Sequence, residues 1–189
     1  MAKEAQQFEQ EFIATAKEKT GHDLQGWLKI ISASGNDKNN AIIKWLKAEH
    51  SLNHMQASIL AGIFLNDGKP VHDYETLFAR LFEGKEDQRP LYDAVTSRIQ
   101  AQVSDVLFIP TKTYVSLENE RVFGCVKINK TNLRVGLDLG DRPFDNTVQK
   151  ATGLGAMPNI GHMIEITSEA DIPADLTDYV QQAYDRAHG

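Results

Sequence analysis

The spacing of apolar residues divides the chain into a helical first part and a mixed second part. Up to residue 65 apolar residues recur at intervals of three and four, a period typical of amphipathic helices, along four successive stretches. Turn residues separate these stretches, and the series ends at the Asn, Asp, Gly, Lys and Pro of positions 66–70. We therefore expect a bundle of four helices over residues 1–68.

After this linker, two short helical stretches precede a change of period from 3.6 to two. From Thr113 onward apolar and polar residues alternate along three segments, 113–118, 121–128 and 133–139. A fourth strand is expected at 163–166, followed by a closing helix. The pattern predicts an α+β domain over residues 73–189, in which helices cover one face of a small four-stranded, mainly antiparallel sheet.

The same alternation predicts which side chains face away from the helices. If the aliphatic residues face the helices, the other face carries aromatic and cationic side chains, because strand side chains alternate. Rings can stack on planar ligands or bases, and cations can meet phosphates. We expect a binding surface there, with these candidate ligand-binding residues: Tyr114, Ser116, Arg121, Phe123, Lys127, Arg134 and His162. The alternative interpretation is a half-solvated sheet, or a face that packs on the first domain, on a second copy of the chain or on another partner.

A long segment rich in Gly, Pro and Asn, residues 140–161, follows the third strand. Loops of this length inside a domain are often functional. Its Gly153-Leu154-Gly155 stretch could bind an anion through backbone N–H groups, but no strand directly precedes it. We expect a mobile loop whose conformation the sequence leaves undefined.

Charge is distributed unevenly between the two parts. The 189 residues include 26 acidic and 20 basic side chains, for a net charge of −6. Residues 1–72 are neutral, so the whole excess lies in the second part, which opposes bulk attraction to phosphate. No apolar run approaches the length of a membrane span, and the N-terminus does not resemble a signal peptide. We expect a cytoplasmic protein that does not bind membranes.

Several enzyme and metal-site patterns are not met. His50 and His54 have the spacing of two metal ligands on one helix, but residues 51–53 indicate a break between helices. The single cysteine, Cys125, lies in the middle of a strand, and Ser116 lacks the GxSxG pattern of a serine nucleophile. We therefore predict no metal, no cofactor and no catalytic residue.

Two parts of the chain resemble domains of unknown function. Residues 20–27 (Thr-Gly-His-Asp-Leu-Gln-Gly-Trp), 43–47 (Ile-Lys-Trp-Leu-Lys) and 52–54 (Leu-Asn-His) resemble the helical domain of unknown function 4287. Residues 81–85 (Leu-Phe-Glu-Gly-Lys), 112–116 (Lys-Thr-Tyr-Val-Ser) and 182–184 (Gln-Ala-Tyr), together with His162, resemble the domain of unknown function 5655. The resemblance implies a two-domain architecture and a bacterial cytosolic origin, but no activity, while residues 157–161 and Met163 depart from the expected pattern.

These observations favour a non-catalytic binding or adaptor protein that uses the exposed face of the sheet. Its partner is unknown; a homodimer or a protein partner on this face is the expected interaction. One alternative is a nucleic-acid-associated accessory protein, which the net charge does not favour. The other is an enzyme that acts on a small substrate beneath the 140–161 loop, with His162 in its pocket.

Overall fold

The structure is a computed structural model that describes residues 2–155, 157 and 159–189. The chain divides into two compact units, Met1–Asp73 and Tyr74–Gly189. No helix among the described residues has both the length and the apolar character needed to cross a bilayer.

The first unit consists of four helices, α1 (Ala2–Thr20), α2 (Leu24–Ser34), α3 (Asn39–His50) and α4 (His54–Leu65). Local sequence sets their ends. The Asp23 side chain accepts a hydrogen bond from the Gly26 amide, and Asn53 and Gln56 form a reciprocal capping box at the start of α4. The predicted helical first unit is confirmed.

A shared apolar core and one buried carboxylate hold this unit together. Trp27, Ile31, Ile42, Leu46 and Leu60 are almost completely buried among the four helices. The indole N–H of Trp27 donates to the hydroxyl of Thr20 at 2.7 Å. The carboxylate of Glu9, which is 1% exposed, accepts from the backbone amides of Val71 and His72, both at 2.8 Å. These bonds fasten the segment after α4 onto α1.

The second unit combines a sheet with three α-helices. Its helices are α5 (Tyr74–Leu81), α6 (Arg89–Gln102) and α7 (Leu176–His188). Its strands are β1 (Leu107–Pro110), β2 (Val115–Asn119), β3 (Arg121–Ile128), β4 (Leu133–Leu137), β5 (Gln149–Lys150) and β6 (His162–Ile166). They pair antiparallel throughout, in the order β1-β2-β3-β4-β6-β5. The α+β class and the antiparallel sheet are confirmed.

The expected number of four strands is wrong, because the described residues contain six. The two additional strands lie at the edges of the sheet, where pairing on one side is sufficient. β1 is four residues long, ends in Pro110 and shows no alternation of burial, and β5 contains only two residues. Neither carries the period-two pattern from which strands are predicted.

One face of the sheet packs on the helices. Side chains from β2, β3, β4 and β6 share a core with the apolar sides of α5, α6 and α7. The opposite face, called the outer face below, packs on the segment formed by residues 151–155, 157 and 159–161, called the strap. Leu154 and Ile160 of the strap form a buried cluster with Cys125 and Met163 of the sheet.

Candidate functional site

The predicted binding residues of the outer face do not form one surface. Phe123 is completely buried on the helix side, where its ring meets that of Tyr184 edge to face at 5.5 Å. The register between β2 and β3 shifts here: Leu117 pairs with Gly124 but Glu118 pairs with Val122. Phe123 is thus the additional residue of a β-bulge, which interrupts the alternation of side chains. The expectation that Phe123 faces outward is wrong for this reason.

Two further candidates are directed elsewhere or buried. The guanidinium of Arg121 donates to the backbone carbonyl of Ala187, near the C-terminus of α7, at 3.1 Å. Ser116 is 3% exposed and pairs with Cys125 in the neighbouring strand. Ser116 therefore does not offer a hydroxyl to solvent, and the expectation of an exposed Ser116 is wrong because the strap covers this part of the sheet.

The two remaining cations of the outer face hold the strap. Lys127 donates to the carbonyl oxygen of Gly153. Arg134 donates to the carbonyl oxygen of Thr152 at 3.2 Å and to the carboxylate of Glu165 at 3.0 Å. The expected open surface is thus covered by a segment of the chain itself. Residues 156 and 158 of the predicted 140–161 loop lie outside the described residues.

Close packing under the strap depends on a glycine. A Cβ atom at Gly136 would lie 2.5 Å from a methyl carbon of Leu154 and 2.8 Å from both Cys125 Sγ and a methyl carbon of Ile160. Beside it, burial raises the pKa of the Cys125 thiol to about 11. A thiol at this pKa is almost entirely protonated at neutral pH, so Cys125 is a structural residue here. Tyr114 is partly buried against the same cluster, and burial raises the pKa of its hydroxyl as well.

His162 is the first residue of β6, next to Met163 of this cluster, and is 3% exposed. Its Nε2 donates to the backbone carbonyl of Arg142 at 2.8 Å, and the Phe144 ring lies 5.0 Å from the imidazole. Because a carbonyl oxygen can only accept, Nε2 carries a proton in this arrangement. Among the described residues Nδ1 has no hydrogen-bond partner. His162 therefore anchors residue 142 and does not join the other candidates in a pocket.

A groove in the second unit does bring aromatic and charged side chains together. It lies between α5, α6 and β1 and has a volume of about 820 Å³, which is within the range of roughly 300–1,000 Å³ typical of ligand sites. Its apolar lining includes Phe78 and Phe108, which are partly buried, and Tyr92, which is 4% exposed. Burial raises the pKa of the Tyr92 hydroxyl far above its ordinary value, so this side chain stays neutral.

One arginine is held in a defined position on this groove. The Arg89 guanidinium lies over the Phe78 ring at 4.8 Å and over the Phe82 ring at 5.2 Å. Its Nε donates to both carboxylate oxygens of Asp93, at 3.0 and 3.2 Å. Within the part of the chain that the structure describes, neither Nη nitrogen of Arg89 makes a hydrogen bond. The groove thus presents oriented N–H donors beside an apolar surface.

Sequence reasoning missed this groove, although two signals were present. Phe78 and Phe82 are four residues apart, as are Arg89 and Asp93, and such pairs share one face of a helix. Because β1 was not among the predicted strands, α5 and α6 were expected only to cover one face of the sheet. The groove exists only because β1 extends the sheet beside them.

The described residues contain no cluster of three or more His, Cys, Asp or Glu side chains that could hold a metal ion. His50 and His54, whose spacing resembles that of two metal ligands, lie on different helices, α3 and α4. The His50 ring packs edge to face on Trp27 and Trp45, and His54 is the exposed first residue of α4.

Comparisons with known proteins agree with this division of the chain. A family model described as domain of unknown function DUF4287 matches residues 9–65, from within α1 to the end of α4. A second model, domain of unknown function DUF5655, matches residues 79–187, more than half of the chain. No curated protein and no solved structure matches the chain. The chain belongs to the DUF5655 family and carries an N-terminal DUF4287 domain.

Proposed function

We propose that this protein is a non-catalytic binding or adaptor protein and that its ligand surface is the groove between α5, α6 and β1. The observation that carries the proposal is the juxtaposition of Phe78, Tyr92 and Phe108 with the positioned guanidinium of Arg89. Apolar sites with a few oriented polar groups are the usual form of a ligand site. We propose this groove as the binding surface in place of the outer face of the sheet, because Lys127 and Arg134 on that face already donate hydrogen bonds to the strap.

The alternatives based on the outer face have less support. A nucleic-acid surface needs cations that are free to meet phosphates, and Lys127 and Arg134 already donate to backbone carbonyls. An enzyme site beneath the strap needs space for a substrate. Leu154 and Ile160 instead lie against Cys125 and Met163 in a buried apolar cluster.

We also propose that the protein works in the bacterial cytoplasm. Its only cysteine is buried and free, which agrees with a reducing compartment, and the family resemblance points to a bacterial origin.

Selection from a random-peptide display library on the full chain tests the groove. Ser97 and Arg98 are adjacent, exposed residues of α6, and only Ser97 lines the groove. A Ser97→Trp variant should fill the groove, while Arg98→Trp places the same indole side chain at an exposed position outside it. We expect the selected peptides to bind the parent protein and Arg98→Trp equally and to lose at least about tenfold in affinity with Ser97→Trp. Failure to select any binder, or peptides that do not distinguish the variants, would overturn the proposal.

A further inference from the structure

The charge around the groove restricts what it can bind. Two carboxylates, Glu75 and Asp93, and one guanidinium, Arg89, line it. Asp93 is neutralised by its ion pair with Arg89. Among the described residues no basic group lies within ion-pair distance of the exposed Glu75. The lining therefore carries a net charge of −1, with the uncompensated charge at Glu75.

The surrounding unit reinforces this negative potential. Residues 74–189 contain seventeen acidic and twelve basic side chains, for a net charge of −5. Summed surface charge of one sign attracts partners of the opposite sign and excludes those of the same sign. A ligand of this groove should therefore be neutral in its buried part and basic around it.

The polar groups beside the aromatic residues favour a peptide over a compact apolar molecule. The free Nη donors of Arg89 can bind backbone carbonyl oxygens, which every peptide offers. Phe78, Tyr92 and Phe108 can receive apolar side chains. Extension of the sheet by an added strand is disfavoured, because the adjacent edge strand β1 ends in Pro110, which has no N–H to donate.

Building on the proposed function, we infer that the groove binds an apolar segment of a partner protein that is flanked by lysine or arginine residues. The apolar side chains would cover Phe78 and Phe108, backbone carbonyls would accept hydrogen bonds from Arg89, and one flanking cation would pair with Glu75.

Two synthetic peptides with the same leucine- and phenylalanine-rich centre test this inference, one flanked by lysines and the other by glutamates. Their affinities for the full chain are measured by fluorescence anisotropy of a dye on each peptide. We expect the lysine-flanked peptide to bind at least about tenfold more tightly at low salt, with a difference that shrinks as salt is added.

A pair of charge-reversal variants shows where any preference arises. Glu75→Lys changes a lining residue, while Glu83→Lys makes the same change at an exposed position outside the groove. We expect Glu75→Lys to remove or reverse most of the preference and Glu83→Lys to retain it. Ser97→Trp should abolish binding of both peptides.

The outcomes separate this inference from the proposed function. Equal binding of both peptides, lost in Ser97→Trp, would overturn the charge preference and leave the groove as the binding surface. Tighter binding of the glutamate-flanked peptide, or equal effects of Glu75→Lys and Glu83→Lys, would also overturn the inference. Binding that survives Ser97→Trp would contradict the groove itself, and no binding of either peptide would overturn the inference.

Discussion

The guanidinium of Arg89 and the carboxylate of Asp93, one turn apart on α6, form an ion pair at 3.0 Å directly beside the rings of Phe78 and Phe82. Both partners are about half exposed, so the pair itself should contribute only about 0.3–0.5 kcal/mol to stability. Its role in our account is to orient Arg89. We expect Asp93→Asn to change the free energy of unfolding by less than about 0.5 kcal/mol while weakening binding of the lysine-flanked peptide several-fold.

Denaturant unfolding and anisotropy titration on the same samples check this prediction. Glu83→Gln, which removes an exposed carboxylate outside the groove, is the control and should leave affinity unchanged. Equal affinities for Asp93→Asn and the parent protein would show that the position of Arg89 does not matter for binding.

The strap depends on the absence of a side chain at Gly136. A methyl group there would overlap Leu154, Ile160 and Cys125. We expect Gly136→Ala to destabilise the protein by about 1–3 kcal/mol and to accelerate the reaction of Cys125 with an aromatic disulfide reagent in the folded state. The rate of release of the coloured thiolate measures this.

Gly161→Ala is the matched control, because a Cβ atom at Gly161 would meet nothing within 4 Å. It should leave both the stability and the Cys125 reaction rate close to those of the parent protein. Similar effects of the two substitutions would mean that the strap is not held against Gly136.

The bulge in β3 predicts opposite results for two neighbouring residues. Phe123 is completely buried against Tyr184, whereas Val122 is 47% exposed. We expect Phe123→Ala to lower the free energy of unfolding by about 3–5 kcal/mol. Val122→Ala should change it by less than about 0.5 kcal/mol. Denaturant unfolding measures both. Regular alternation without a bulge would reverse this order.

His188 links the last turn of α7 to the β2–β3 turn in a pH-dependent way. Its Nδ1 lies 2.7 Å from the carbonyl oxygen of Tyr184, and its Nε2 lies 2.6 Å from that of Asn119. Both carbonyls accept, so both bonds form only when the ring is doubly protonated. The Tyr184 carbonyl is the main cause that raises the pKa of His188; burial opposes it, the Asn119 carbonyl and Glu120 raise it further, and Arg121 lowers it.

A pKa raised on folding means that the stabilisation is present below the ordinary value of 6.5 and is lost as the pH rises through the folded value. We therefore expect the parent protein to exceed His188→Gln in stability at a pH of about 5.5 and this excess to shrink by about pH 8.5. Denaturant unfolding of both proteins measures it. A constant excess of the parent over His188→Gln across this range would contradict this interpretation of His188.

The spacing of apolar residues was sufficient to predict a helix or strand where the pattern repeats over several helical turns or several strand residues. The four helices of the first unit and the strands β2, β3, β4 and β6 follow from it. It failed where one residue breaks the pattern, since a bulge at Phe123 reverses the side chains beyond it. Gly124, beside the bulge, is the residue type that marks such sites.

The candidate site was harder to predict than the fold because it depends on contacts between distant segments. The strap reaches the outer face only because Gly136 leaves room, and a glycine inside a strand is a signal of close approach. The groove requires β1, whose four residues show no alternation. The acidic excess of the second unit, by contrast, can be counted from the sequence, and the preference for a basic partner that we infer rests on it.

A titration of the nitrogen-15-labelled full chain with the lysine-flanked peptide, followed through backbone amide resonances, shows directly where the peptide binds. We expect the largest shifts at Ser97, Gln100 and Ala101, which line the groove on α6. Binding at the groove would be contradicted by shifts concentrated at Lys127 and Arg134 beneath the strap, or in the four helices of the first unit, with the groove resonances unchanged.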